Sequence, residues 1–126
     1  MQKLVEEVKE LVEREYGRAG VTFGLSNHSD HESFAIIMEE LDEAGEEFDS
    51  FSKQLGLFWA LVKSNASDNE KFNQLKRMEV TALLAACEMI QVAAMAKKAA
   101  ITVCDRGAVR EFTAEEVNDG QSICRD

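Results

Sequence analysis

The chain of 126 residues contains no proline. Proline is the strongest breaker of α-helices, so its absence permits long, uninterrupted helices. Positive charge is also scarce, since 14 lysine and arginine residues stand against 24 aspartate and glutamate residues and the net charge is −10. A general nucleic-acid-binding protein needs a basic surface to replace counterions, so nucleic acid is disfavoured as a partner. The charge is compatible with a protein that binds cations, or anions through a metal ion, and equally with plain solubility.

The three cysteines, Cys87, Cys104 and Cys124, form no CxxC pair and no even-numbered set. We therefore expect free thiols in a reducing, cytoplasmic protein. The first residues lack the basic-then-apolar pattern of a signal peptide. The longest apolar stretch, residues 80–96, contains polar interruptions and is shorter than the roughly 20 residues that span a bilayer. We expect a buried helix there and no membrane as a partner.

The first two helices are predicted from the spacing of apolar side chains every three or four residues. One covers residues 2–17 and is expected to end at Gly17 and Gly20. The other opens with Ser-Asp-His-Glu at residues 29–32, a capping box in which a hydroxyl and a carboxylate satisfy the first turn. Gly56 is expected to kink or end this second helix.

A third long helix is predicted from the polar turn at residues 64–69 to about Val103. The sequence shows no convincing strand alternation and no internal repeat. The fold class is therefore all-α, most simply an antiparallel bundle of three to five helices. We assign residues 1–104 to one helical domain and residues 105–126 to a polar tail or small appended element.

A dense group of carboxylates lies on the second predicted helix, at Glu39, Glu40, Asp42 and Glu43. Mg²⁺ prefers hard oxygen ligands, usually a few carboxylates with waters and substrate phosphates. Side chains three residues apart on a helix, such as Glu40 and Glu43, can point toward one ion. Acidic helices are also common as solvated surfaces, and the cluster alone favours that interpretation.

Glu88 lies within the apolar stretch, whose only other polar residues are Thr81 and Gln91. These three fall on one side of a helix, within roughly 80°. A carboxylate in an apolar surface needs a partner, because an unpaired buried charge is costly. A divalent cation shared with the glutamates of the second helix would satisfy Glu88, and so would a basic side chain in a structural polar network.

Residues 31–43 (HESFAIIMEELDE) and 88–96 (EMIQVAAMA) together resemble a phage-associated branch of the MazG-like, all-α nucleoside triphosphate pyrophosphohydrolases. The shared pattern is a capped helix with EExxE, followed by a helix with a Glu-x-x-(Asp or polar) step, and it covers roughly residues 29–104. The resemblance implies hydrolysis of a nucleoside triphosphate to the monophosphate and pyrophosphate, as nucleotide-pool housekeeping. It also implies Mg²⁺, or Mn²⁺ in its place, and assembly as a homodimer or homotetramer.

The resemblance further implies roles for four glutamates. Glu40, Glu43 and Glu88 would be metal ligands. Glu39 would be a ligand or the residue that orients the attacking water, so all four are candidate catalytic residues.

Two further candidates for binding the cofactor or substrate follow in the third helix. Gln91 stands where the family's main pattern has aspartate, and a neutral amide is a poorer magnesium ligand. Lys98, on a similar side of the helix, is a candidate contact for the triphosphate, although such lysines are more often solvated. Gln91 also favours an alternative, a catalytically inactive helical bundle that acts as an interaction or nucleotide-sensing module. A third hypothesis is a helical adaptor whose acidic face binds a basic partner.

Overall fold

The computed structural model describes residues 1–107 and contains three helices. They are α1 (Gln2–Phe23), α2 (Asp30–Lys63) and α3 (Asp68–Cys104). No strand occurs among the described residues, and the prediction of an all-α fold is confirmed. Residues 105–107 form a turn, and the remainder of the predicted tail lies outside the described residues.

Both long helices begin at a capping box. Ser29 Oγ accepts a hydrogen bond from the backbone N–H of Glu32 at 3.1 Å, and Ser67 Oγ accepts one from that of Glu70 at 3.2 Å. In return, a carboxylate oxygen of Glu70 accepts a 3.1 Å bond from the backbone N–H of Ser67. These bonds satisfy donors that the first turn of a helix leaves without intrahelical partners. The predicted starts of α2 and α3 are therefore confirmed.

The predicted ends of the first two helices are wrong. α1 continues past Gly17 and Gly20 and ends at Phe23. The next residue, Gly24, has a φ of 88°, in the left-handed region that favours glycine. α2 continues through Gly56 without interruption. Glycine costs a helix about 1 kcal/mol relative to alanine, but it keeps its N–H donor. Single glycines inside long helices therefore do not end them.

The described chain forms two compact units. Among the described residues, the first unit comprises residues 1–39 and 90–107, and the second unit comprises Glu40–Met89. The first unit therefore contains α1, the start of α2 and the end of α3. The second contains the remainder of α2 and α3 with the turn that joins them.

The core of the first unit is built around Tyr16, Ala94, Met95 and Ile101. The hydroxyl of Tyr16 donates a 2.7 Å hydrogen bond to the backbone carbonyl of Leu25. This bond satisfies the polar atom of a buried aromatic side chain and holds the segment that follows α1.

The second unit is an antiparallel helix pair. Near one end, the side-chain amide of Gln74 on α3 donates a 2.9 Å hydrogen bond to the backbone carbonyl of Gln54 on α2. Near the other end, the carboxylates of Glu43 and Glu88 approach each other. Ala44 and Ala85 are 0% and 6% exposed, and such small side chains allow two helices to pack closely.

The apolar stretch at residues 80–96 is not buried on all sides, contrary to the prediction. Four of its large side chains expose 40–64% of their surface: Val80, Leu83, Leu84 and Met89. In a unit of two helices each helix has one neighbour and buries one face. By length and composition α3 is also apolar enough to cross a membrane, a property that the core helices of soluble proteins share.

The cysteine prediction is wrong at one position. Cys104, the last residue of α3, is disulfide-bonded. Cys87 is an exposed free thiol, and Cys124 lies outside the described residues. Pairing requires two sulfur atoms about 2 Å apart, a condition that the fold sets and the spacing of cysteines in the sequence does not.

Replacement of Ile101 with alanine should lower the free energy of unfolding by about 2–5 kcal/mol, because a cavity would form at a residue that is 1% exposed. Urea denaturation measures this loss. Val103→Ala, in the same helix but at a position that is 40% exposed, is the control and should cost less than about 1 kcal/mol. Equal losses for the two variants would contradict the placement of Ile101 in the core.

Candidate metal centre

Three glutamates of the second unit come together, Glu40 and Glu43 from α2 and Glu88 from α3. Each offers a carboxylate oxygen, and these oxygens lie within 4.8 Å of one another. Glu40 and Glu88 are half-buried, whereas Glu43 is exposed. Within residues 1–107, this is the group of acidic, histidine or cysteine side chains that is compact enough to hold a metal ion.

The local sequence explains why these carboxylates meet. Glu40 and Glu43 are three residues apart, a spacing that brings two side chains to adjacent positions on a helix. Ala44 follows Glu43, and Ala85 lies one turn before Glu88 on α3. Because both alanines are buried in the helix pair, the glutamates beside them lie where the two helices are close.

The environment of Glu88 is strongly negative. Partial burial, the largest cause, raises the pKa of the Glu88 carboxyl, because loss of water disfavours the charged form. The negative charge of Glu43 and a hydrogen bond between these two carboxyls raise the pKa further, and so do the charges of Glu47 and Glu46. Among the described residues, no lysine or arginine forms an ion pair with Glu88, so the structural network with a basic partner is not seen.

The donor set suits a hard divalent cation. Carboxylate oxygens are the ligands that Mg²⁺ prefers, and two oxygens on opposite sides of this ion are about 4.2 Å apart. Separations of up to 4.8 Å therefore require only a small closure of the three side chains. The group contains neither histidine nor cysteine, which disfavours zinc. A cation would also relieve the repulsion among the carboxylates.

The remaining predicted site residues are not among the three carboxylates that come together. Glu39 is exposed and is not one of the three carboxylates that come together. Gln91 and Lys98 belong to the first unit. Lys98 is 4% exposed, so it is not the solvated lysine that the sequence favoured.

Gln91 has a specific partner in the first unit. Its side-chain amide donates a 2.6 Å hydrogen bond to a carboxylate oxygen of Glu15 on α1. Glu15 also accepts hydrogen bonds from the guanidinium of Arg18. The bonds from Arg18 and then from Gln91 lower the pKa of Glu15, because donors stabilise its charged form. Position 91 therefore needs a donor, which an aspartate does not supply at neutral pH.

Two more acidic residues contribute to the site, and one of them, Glu47, was missed in the sequence. Glu46 and Glu47 contribute negative charge at Glu88, and Glu47 is half-buried. The available signal was the spacing of Glu47, four residues after Glu43, which places both side chains on the same side of α2. The link between Glu15 and Gln91 had no such signal, because 76 residues separate them.

No protein-family model, curated protein or solved structure matches the chain. The likeness of residues 29–104 to the MazG-like enzymes therefore remains a resemblance of motifs. A function for the three glutamates has to be argued from their geometry and charge.

Replacement of Glu88 with glutamine should raise the melting temperature of the metal-free protein at neutral pH. Because the pKa of Glu88 is raised by folding, wild type gains stability as the pH falls through the folded pKa and loses it as the pH rises. Glutamine does not titrate, so the advantage of the variant should disappear below the ordinary carboxyl pKa.

Thermal unfolding in EDTA between about pH 4 and pH 8 measures this difference. Glu7→Gln, which removes an exposed carboxylate from α1, is the control and should show a smaller pH dependence. A lower melting temperature for Glu88→Gln at neutral pH would contradict the like-charge environment of this residue.

Gln91→Asp should destabilise the protein by about 1–3 kcal/mol at neutral pH, since a carboxylate cannot donate to Glu15 and repels it. Glu15→Gln in the same chain should recover part of the loss. A double-mutant cycle by urea denaturation measures the coupling between the two positions. Strictly additive effects would show that the hydrogen bond contributes nothing to stability.

Proposed function

We propose that the protein is a magnesium-dependent nucleoside triphosphate pyrophosphohydrolase, which converts a nucleoside triphosphate to the monophosphate and pyrophosphate. The observation that carries this proposal is the approach of Glu40, Glu43 and Glu88, whose carboxylate oxygens lie within 4.8 Å of one another. These are the three positions to which the resemblance to MazG-like enzymes assigns metal binding. Glutamates 45 residues apart in the sequence, Glu43 and Glu88, meet in the second unit.

The charge of the protein supports a metal-dependent reaction. Cleavage of a phosphoanhydride needs neutralisation of charge, positioning and an activated water. A chain with a net charge of −10 repels a triphosphate unless the local charge is inverted. Mg²⁺, or Mn²⁺ in its place, would supply that inversion and would lower the pKa of a bound water.

The residues of the site then have distinct tasks. Glu40, Glu43 and Glu88 hold the ion, and Glu47 adds negative charge beside them. Glu39, which is exposed, is proposed as a further ligand or as the residue that orients the attacking water. Gln91 and Lys98 are left without a role in this proposal. Gln91 is bonded to Glu15, and Lys98 is buried in the first unit.

A non-catalytic helical protein that senses nucleotides or binds a partner is the second candidate. Gln91 favours it, because this neutral amide stands where the family's pattern has a carboxylate and is bonded to Glu15. In a third candidate, the acidic adaptor, the three glutamates are a solvated surface for a basic partner. The last two candidates share the fold with the enzyme and differ from it in their response to metal and triphosphate.

The proposal also includes the setting of the enzyme. We propose a cytoplasmic homodimer or homotetramer whose helices complete a bundle of three to five helices in each subunit. The many exposed large apolar side chains, which include Phe48, Trp59 and Phe72, support assembly because a monomer rarely leaves so many in water.

Pyrophosphate release should be detected from at least one member of a panel of canonical and modified nucleoside triphosphates, and only when Mg²⁺ or Mn²⁺ is present. Glu88→Gln should reduce kcat/KM by about 100-fold or more, because a ligand of the ion is lost. Glu7→Gln, on the exposed surface of α1, should leave the rate unchanged.

Thermal unfolding separates the three candidates. Binding of Mg²⁺ at 100 times its dissociation constant stabilises a protein by about 2.7 kcal/mol, which raises the melting temperature by several degrees. If Mg²⁺ stabilises the protein but no triphosphate is hydrolysed, the sensing module is favoured over the enzyme. Neither stabilisation nor turnover in a folded protein would favour the adaptor.

A further inference from the structure

Cys104, the last residue of α3, carries a disulfide bond for which neither the metal centre nor the proposed reaction has a use. The chain contains three cysteines. Cys87 is an exposed free thiol, so it is not the partner of Cys104. The remaining cysteine, Cys124, lies outside the described residues. It is therefore the one partner for Cys104 that the same chain can supply.

Cys104 lies in a part of the first unit that side-chain contacts hold on both sides. Two residues before it, Thr102 Oγ1 accepts a 2.8 Å hydrogen bond from the backbone N–H of Asn27. Two residues after it, the guanidinium of Arg106 donates to both carboxylate oxygens of Asp30, at 2.7 and 3.2 Å. These contacts attach the end of α3 to the start of α2 and to the segment before it. A disulfide at Cys104 thus joins its partner to a fixed point of the unit.

The chain leaves the axis of α3 at Gly107. The backbone N–H of Gly107 donates a 2.9 Å hydrogen bond to the carbonyl of Cys104, and the φ of Gly107 is 79°, in the left-handed region. Glycine adopts this conformation readily just beyond a helix. A chain that kept to the helix axis would move about 1.5 Å further from Cys104 with each residue. A later cysteine can return to Cys104 only after such a turn.

The length of the intervening chain is compatible with pairing. The 19 residues 105–123 lie between Cys104 and Cys124. The Cα atoms of a disulfide are about 5.5–6 Å apart, so the two ends of this segment have to meet. The entropic cost of closing a loop grows only with the logarithm of its length. A loop of this size therefore presents no barrier to a bond between the two cysteines.

The position of Cys104 gives small thiols access to its sulfur. Cys104 is half-buried, and the residues beside it, Val103, Asp105 and Arg106, are exposed. Thiol–disulfide exchange proceeds by attack of a thiolate on a disulfide sulfur, so it needs such access. In the cytoplasm, where we propose to place the protein, glutathione keeps thiols reduced and the disulfides that form are usually transient. Position and setting together favour a bond that opens and closes over a permanent cross-link.

We propose that Cys104 and Cys124 are a reversible redox modification site, whose disulfide attaches the C-terminal segment to the end of α3. The oxidant is a small disulfide such as oxidised glutathione. One cysteine sulfur forms a mixed disulfide with it and releases a first reduced glutathione, and the other cysteine sulfur then displaces the second. Both protein thiols transfer their protons to the departing glutathione molecules. The pairing is independent of the metal centre, and its reversibility rests on the proposed cytoplasmic setting.

Peptide mapping of the full chain under non-reducing conditions tests the pairing. Trypsin cleaves after lysine and arginine, so it leaves Cys104 in peptide 99–106 and Cys124 in peptide 111–125. Cys87 falls in a third peptide, so each possible pairing gives a different mass. After incubation with oxidised glutathione, the first two peptides should be found linked in the mass spectrum, and reduction should separate them.

Alkylation of thiols measures the reversibility. Excess reduced glutathione should convert the native protein from a form with one free thiol to a form with three, and oxidised glutathione should restore the link. Cys124→Ser should abolish the linked peptides. Cys87→Ser, which removes the exposed free thiol, is the matched control and should retain them. Circular dichroism establishes that each variant is folded.

Three results would overturn the proposal. A link between the peptides of Cys104 and Cys87, or a covalent dimer on a non-reducing gel, would refute the pairing with Cys124. A disulfide that the native protein retains in excess reduced glutathione would refute its reversibility. Three free thiols in the presence of oxidised glutathione would refute both.

Discussion

Close packing of α2 against α3 in the second unit is the constraint on which the candidate site depends. Ala44 and Ala85 are buried in this helix pair, where larger side chains would hold the helices further apart. At the short distance that these alanines permit, Glu43 and Glu88 lie close enough to share a hydrogen bond. The acidic centre is thus a consequence of small residues beside it, and its geometry follows from the register of the two helices.

The two units differ in what surrounds a half-buried glutamate. In the first unit, Glu15 is surrounded by donors, Arg18 and Gln91, which stabilise its charge. In the second unit, Glu88 is surrounded by other carboxylates, which destabilise its charge. A protein selected for stability alone gains nothing from the second arrangement, whereas a site that takes up a divalent cation gains affinity from the repulsion it relieves. This contrast favours a functional interpretation of the three glutamates over a purely structural one.

The same helix pair explains the apolar surface. Each helix of the pair buries one face against the other, so residues such as Phe48 and Leu55 outside that face remain exposed. Hydrophobic burial is the main stabilising contribution to folding, and a pair of helices obtains only part of it. The proposed assembly as a homodimer or homotetramer would add the missing part.

Interactions within one helical turn made much of the fold predictable. Contacts between residues that are far apart in the sequence were not predictable. The sequence by itself determined the all-α class and the starts of α2 and α3, because capping by Ser29 and Ser67 acts within one turn. It also identified Glu40, Glu43 and Glu88 as candidates, but not their separation. Only the tertiary structure brought Glu88 to the glutamates of α2, joined Gln91 to Glu15 and left the apolar stretch half exposed. Each of these depends on how distant segments pack, which helical periodicity along one segment does not specify.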